Sequence, residues 1–130
     1  MAESKEDTIR RGYKAFTEGD LETFRSSIYT PDVVQVQPGK NQTSGEHKGV
    51  ENVLALYGKF FELSGGTFAV ELKSVKTEGD KVVSVHHATG ERDGKTIDLD
   101  ESIEFTFSGA KVCRLDVTTT DEAAEDAFWG

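Results

Sequence analysis

Asp93-Gly94 stands between two segments that both alternate apolar and polar residues, Lys81 to Arg92 and Thr96 to Phe107. A two-residue turn of type I′ needs positive φ at both central positions, which aspartate and glycine tolerate, so the pair marks a β-hairpin. Such a loop sets Arg92 opposite Lys95, and every other pairing follows by counting back. Ile97 then faces Gly90, Leu99 faces Ala88, Glu101 faces His86, Ile103 faces Ser84 and Phe105 faces Val82. Ile103, Phe105 and Phe107 share one face of their strand, and period-two geometry puts Glu101 on that face with them. A buried, unpaired carboxylate costs several kcal/mol, roughly, and His86 is the partner that the turn supplies. Val83 and Val85, read alone, argue instead that His87 points inward, and a bulge at His86-His87 would produce that outcome. Ser84, Ala88 and Gly90 are small, which predicts space for a ligand beside the His86–Glu101 pair.

The remaining elements place this hairpin in an α+β domain. Ile9, Tyr13 and Phe16 recur at helical spacing, and Glu18-Gly19-Asp20 ends that helix. Asp20 caps a second helix whose stripe is Leu21, Phe24 and Ile28. Thr30-Pro31-Asp32 breaks the pattern, Val33 to Gln37 reads as a short strand, and Lys40 to Lys48 reads as a loop. Val50, Val53, Leu54, Tyr57, Phe60 and Phe61 form the stripe of a third helix. Phe68, Val70 and Leu72 alternate as a strand, Lys111 to Val117 is the last long strand, and Asp121 caps a short terminal helix. Helices first and a meander afterwards predict one domain, residues 1–130, with helices packed against one side of a curved sheet.

The chain has 130 residues with a net charge of -9, which argues against nucleic acid or an anionic membrane as partner. The single cysteine, Cys113, excludes an internal disulfide and shares parity with Leu115 and Val117, so it reads as core. M-A-E-S-K-E-D has no apolar signal region, and the expected location is cytoplasmic. Asn41-Gln42-Thr43 matches a glycosylation sequon only by chance on this reading. His47 is read as solvated, Asp98, Asp100 and Glu104 as an outer polar face, and Trp129 as an anchor for the tail. No zinc spacing, P-loop or dinucleotide motif occurs, so neither a metal nor a cofactor is expected.

G-Y-K-A-F-T-E-G-D-L-E-T-F near the start, H-K-G-V-E-N-V-L-A-L-Y in the third helix, R-D-G-K-T-I-D-L-D-E at 92–101 and D-E-A-A-E-D-A-F-W at the end carry a resemblance. With the order of elements, they make the chain similar to the NTF2-like superfamily, and within it to the SnoaL-like, ketosteroid-isomerase-related group. The resemblance implies a cone-shaped, mostly antiparallel sheet with helices on its concave side, a deep apolar pocket and a homodimer. In that isomerase's pattern the catalytic tyrosine falls at Gly12, with Tyr13 one place off. The general-base aspartate falls at Gln37 before Pro38, and the protonated aspartate falls at Ile103. Tyr57 alone is kept. Steroid isomerase chemistry needs a carboxylate base and a strong donor, and neither is at its place.

Two functions are therefore carried forward. The first is a cofactor-free enzyme acting on a small, largely apolar molecule by isomerisation, cyclisation, dehydration or epoxide hydrolysis. His86 and Glu101 would move protons, and Tyr57, Gln37, Tyr13, Leu99, Ile103 and Phe105 would hold the ligand. A carboxylate beside the imidazole is expected to raise its pKa and leave the second ring nitrogen for substrate. The second is a non-catalytic ligand-binding or dimeric interaction module.

Overall fold

The computed structural model describes residues 3–130. Helix α1 (Lys5–Glu18) begins where the Ser4 side chain accepts the Asp7 amide, and ends at Gly19 with φ 69°. Its buried residues, Thr8, Ile9, Ala15 and Phe16, follow the expected stripe. Asp20 caps the next helix as read, but α2 is only Leu21–Thr23 and opens into a single π-helical turn, Phe24–Ile28. That wider turn still buries Phe24 and Ile28. Helix α3 (Val50–Leu63) buries Val53, Leu54, Leu56, Tyr57 and Phe60, and α4 (Glu122–Trp129) is capped by Asp121.

The strands, among the described residues, are β1 (Tyr29–Gln37), β2 (Gly45–Lys48), β3 (Ala69–Glu78), β4 (Lys81–Arg92), β5 (Lys95–Ser108) and β6 (Lys111–Thr119). They form one mixed sheet in the order β2-β1-β6-β5-β4-β3. The β1–β6 pairing is parallel and the other pairings are antiparallel. The sheet is curved and does not close. Helix α1 packs against β3, α3 against β1 and β2, and α4 against β5. This is the α+β arrangement expected.

Two sequence readings are corrected here. The first strand, read as Val33 to Gln37, starts at Tyr29 and runs through Pro31, with its register with β6 shifting between Tyr29 and Val34. A proline is tolerated where the ladder is interrupted. Residues 45–48, read as loop, pair with Val34 to Gln37 as β2, because backbone pairing at an edge needs no apolar pattern.

The β4–β5 ladder runs without a break from Arg92–Lys95 to Val82–Phe105, so His86 lies opposite Glu101 and His87 opposite Asp100. The turn has the left-handed geometry it requires, with φ 50° at Asp93 and 78° at Gly94. A register shift does occur beside the histidines, but on β3 between Leu72 and Ser74, where it leaves the inward direction of His86 intact. A second shift, between Thr106 and Phe107, turns Val112 fully inward and leaves Cys113 half-buried, contrary to its reading as core.

The space expected over Ala88 and Gly90 is filled. A Cβ at Gly90 would lie 3.3 Å from the Phe68 Cα and 3.4 Å from the Phe128 ring, so α4 and the start of β3 occupy it. Glycine is needed at that position for close approach, not for a ligand. Gly90→Val is expected to destabilise the protein by about 1–3 kcal/mol, the usual scale of overpacking, read as a lowered midpoint in urea unfolding.

Candidate functional site

A cavity of about 80 Å³ lies between the helices and the sheet. Its walls are mainly apolar, with Phe16, Phe60, Phe68 and Trp129 on the helix side and Ile103, Phe105 and Val117 on the sheet side. A space of this size holds several waters or a slim organic molecule. Trp129 is 1% exposed, so it anchors the tail as read and also closes one wall.

Tyr13, Gln37, Tyr57, His86, Glu101, Ile103 and Phe105 all line this cavity. Leu99 does not. It is buried, but it pairs with Ala88 in the stretch that α4 covers, one rung beyond Glu101. Sequence parity identified its face correctly and could not show what lay above that face.

His86 Nε2 lies 2.7 Å from Glu101 Oε1, with both residues buried. The second ring nitrogen is not free. Tyr13, reaching across from α1, places its hydroxyl 2.5 Å from His86 Nδ1 and 2.8 Å from Ser84 Oγ. Glu101 also has a second partner, Glu125 of α4, hydrogen-bonded to it across the core. Glu125 is 2% exposed, and its Oε1 has no hydrogen-bond partner among the described residues. Sequence reasoning missed Glu125. Its signal was the spacing of three and four residues to Phe128 and Trp129, which puts all three on one helix face.

The electrostatics differ from expectation. The imidazole of His86 was expected to rise; instead burial pushes it down to about 4. Desolvation of the buried ring outweighs the nearby Glu125 and Asp100 carboxylates, which act to raise it. Burial, then the bond to Glu101, raises the Glu125 carboxyl to about 9. Glu101 is itself raised by burial and pulled back by the Glu125 hydrogen bond. Burial raises the Tyr13 hydroxyl above its ordinary value. At neutral pH His86 is thus neutral and Glu125 keeps its proton, so the two carboxyls carry at most one negative charge between them. Glu101 receives the His86 Nε2–H and the Glu125 O–H, and Tyr13 donates to His86 Nδ1.

A second polar chain crosses the far wall. The Tyr29 and Tyr57 hydroxyls are 2.5 Å apart, Tyr57 donates to Gln35 Oε1 at 2.6 Å, and Gln35 Nε2 donates to Gln37 Oε1 at 2.8 Å. Gln35 was not singled out in the sequence. Val33, Gln35 and Gln37 compete with Val34 and Val36 for the inward face, and the alternation does not choose between them. Parallel pairing with β6 chooses, burying Val33, Gln35 and Gln37.

His87 points outward, with Nδ1 2.7 Å from Asp100 Oδ1 and Nε2 against Asp98. The hydrogen bond to Asp100, then that to Asp98, raises its pKa. The outer carboxylates are therefore ion-paired, with Lys73 on Asp100 and Lys81 on Glu104. His47, read as solvated, is half-buried, with Nε2 2.8 Å from the Thr43 carbonyl.

These shifts have a defined consequence for stability. Above about pH 7 His86 is neutral in both folded and unfolded chains, so it contributes no slope there. Glu125 keeps its proton in the folded protein up to about pH 9 and loses it when unfolded near 4.5, so its contribution is lost as pH rises through that window. The melting temperature is expected to fall from pH 7 to 9, and to fall less in Glu125→Gln; calorimetry across the series measures both. In the same protein, NMR of His86 should show a neutral ring at pH 6.

A SnoaL-like domain model matches residues 9–115. An uncharacterised protein of Mycobacterium tuberculosis is 36% identical over 124 residues, covering 95% of this chain and 94% of its own. Among solved structures, a protein from a soil-derived mobile gene cassette superposes with a TM-score of 0.93 at 34% identity, covering 97% of this chain and 96% of that one. TerC, crystallised with polyporic acid, has the same fold at 23% identity and a TM-score of 0.82, over 96% and 98% of the two chains. With a domain model matched over most of its length and relatives above 30% identity across nearly all of it, the chain belongs to the SnoaL-like family.

Proposed function

We propose that this protein is an enzyme that moves a proton on a small, largely apolar molecule, using its own side chains and no bound cofactor. The observation that carries this reading is the bonded series Tyr13–His86–Glu101–Glu125, three members of which line an apolar cavity. The Tyr13 hydroxyl brings one end of this series to the cavity wall, where a bound molecule can meet it.

The series supports proton transfer without ionising the histidine. A proton leaving a substrate carbon passes to the Tyr13 oxygen as the Tyr13 proton moves to His86 Nδ1 and the Nε2 proton moves to Glu101. The imidazole ends neutral in its other tautomer, Glu101 ends as a carboxylic acid, and the negative charge has moved to the substrate. Return of the proton to a different substrate atom completes an isomerisation, and attack by the carbanion on an internal carbonyl completes a cyclisation. The depressed pKa of His86 and the raised one of Tyr13 oppose a charged intermediate on either group, and a concerted relay needs neither. Glu125 holds Glu101 in place and shares its charge. TerC, which shares the fold, was co-crystallised with a small molecule, polyporic acid, in keeping with a small-molecule reading.

Hydrogen–deuterium exchange at the α-carbon of a panel of small cyclic ketones, followed by NMR, tests the relay. Wild-type protein should accelerate exchange. Glu101→Gln, His86→Ala and Tyr13→Phe should each slow it by roughly 10²–10⁴-fold, the scale of one acid–base group. Full exchange in a folded His86→Ala protein would remove the relay. Binding without exchange by wild type would support the alternative of a ligand-binding module, which the loss of the isomerase's catalytic residues at Gly12 and Ile103 also favours.

We also propose a homodimer through the outer sheet face, where Val83 and Val85 are half-buried within the single chain. Sedimentation should give twice the chain mass at micromolar concentration, and Val85→Lys should shift it towards monomer.

A further inference from the structure

The second polar chain has a direction, and that direction fixes what the cavity offers a ligand. Tyr29 is buried, and its hydroxyl meets one partner among the described residues, the Tyr57 oxygen. A buried O–H with one partner donates to it, since the alternative leaves the hydrogen unbonded. Tyr57 then has its own hydrogen available for Gln35 Oε1. With its oxygen so engaged, Gln35 presents Nε2 to Gln37, and Gln37 accepts with its own Oε1. The amide of Gln37 is thereby turned so that its NH₂ group is left over, in a residue 7% exposed that lines the cavity, with no protein acceptor among the described residues. Flipping either amide would break a bond in the series or strand the Tyr29 hydrogen.

Register places this donor relative to the relay. Val36 pairs with Asp116, so Gln37 is level with Val117, which pairs with Ile103, which pairs with Ser84. Gln37 and Ser84 thus lie on one rung of the sheet, with Val117 and Ile103 between them. Ser84 is the residue that hydrogen-bonds Tyr13. The rung spans three strand spacings, about 14 Å along the sheet before curvature and inward side chains shorten it. An apolar floor therefore separates a donor at one end from the proton relay at the other.

We propose that Gln37 is the ligand-orienting donor of this cavity and that the molecule it takes is a flat, neutral carbonyl compound, a ketone or quinone, whose oxygen lies on Gln37 and whose α-carbon lies towards Tyr13. A carboxylate would bring its charge among mainly apolar walls, and a hydrocarbon leaves the Gln37 hydrogens unpaired. The same hydrogens stabilise negative charge that reaches the carbonyl oxygen when the α-proton leaves. This assignment rests on the small-molecule reading above, but it concerns binding alone, so it is tested without any proton transfer.

The probes are 1-indanone and indane, which share a bicyclic frame and differ in the carbonyl. Calorimetric titration of wild-type protein should show 1-indanone bound roughly five- to ten-fold more tightly, the scale of one buried neutral hydrogen bond. Gln37→Met, similar in shape and without a donor, should erase that preference and leave indane affinity within about two-fold. Gln37→Met also deprives Gln35 Nε2 of its acceptor and could misfold, so a second measurement uses the wild type alone. The infrared carbonyl stretch of ¹³C-labelled 1-indanone should move to lower wavenumber on binding, relative to cyclohexane solution. Equal affinity for the two probes, no detectable binding of 1-indanone, a preference that survives in folded Gln37→Met, or an unshifted carbonyl stretch would each overturn the assignment. Loss of exchange with these results intact would sink the relay and leave Gln37 as the donor.

Discussion

A carboxylate on the inner face of a sheet, 7% exposed among isoleucine and phenylalanine, cannot hold its charge unaided. Glu101 holds it by accepting from His86 on the neighbouring strand and by sharing a proton with Glu125 on the last helix. Much of the site follows from that requirement. His86 must keep Nε2 protonated, so Nδ1 is left as an acceptor for Tyr13, and this joins α1 to β4. Glu125 must be buried, and Phe128 and Trp129 on the same helix face go in with it. The terminal helix is thus docked by one carboxyl and two aromatic rings.

The cavity between these contacts has two unlike ends. One is a series of groups whose protons can move, ending in a carboxylate. The other is a series whose protons are fixed by the single bond available to Tyr29, ending in an amide that donates. Hydrophobic residues separate them, which keeps the carboxylate's charge away from the donor end and leaves each polar series internally paired. In the proposed function the acid–base groups lie on β4 and β5, and Gln37 on the first strand serves as a donor, since an amide is no base at neutral pH.

Local pattern made much of this visible. A type I′ turn and strict alternation set the β4–β5 register, so the His86–Glu101 contact could be read from positions 86–101 alone. The amphipathic stripes of α1 and α3, and the caps at Asp20 and Asp121, were equally legible, because each depends on residues within a few positions of one another. Strand β2 was not legible, since an edge strand is held by backbone groups that all sequences share. Nor was the extension of β1 through Pro31, which the interrupted ladder with β6 permits.

What the sequence determined by itself was which face each residue of the long hairpin occupies, because side-chain direction in a strand has a fixed period. Only the tertiary structure decided what meets that face. It put Phe68 and Phe128 over Gly90 and sheltered Leu99 under α4, where sequence parity had suggested open space. It also brought Glu125, 24 residues away, onto Glu101, and it buried His86 deeply enough to lower the pKa that a carboxylate partner was expected to raise. Charge in a low-dielectric interior depends on every neighbour within a few ångströms, and those neighbours come from elements far apart in the chain.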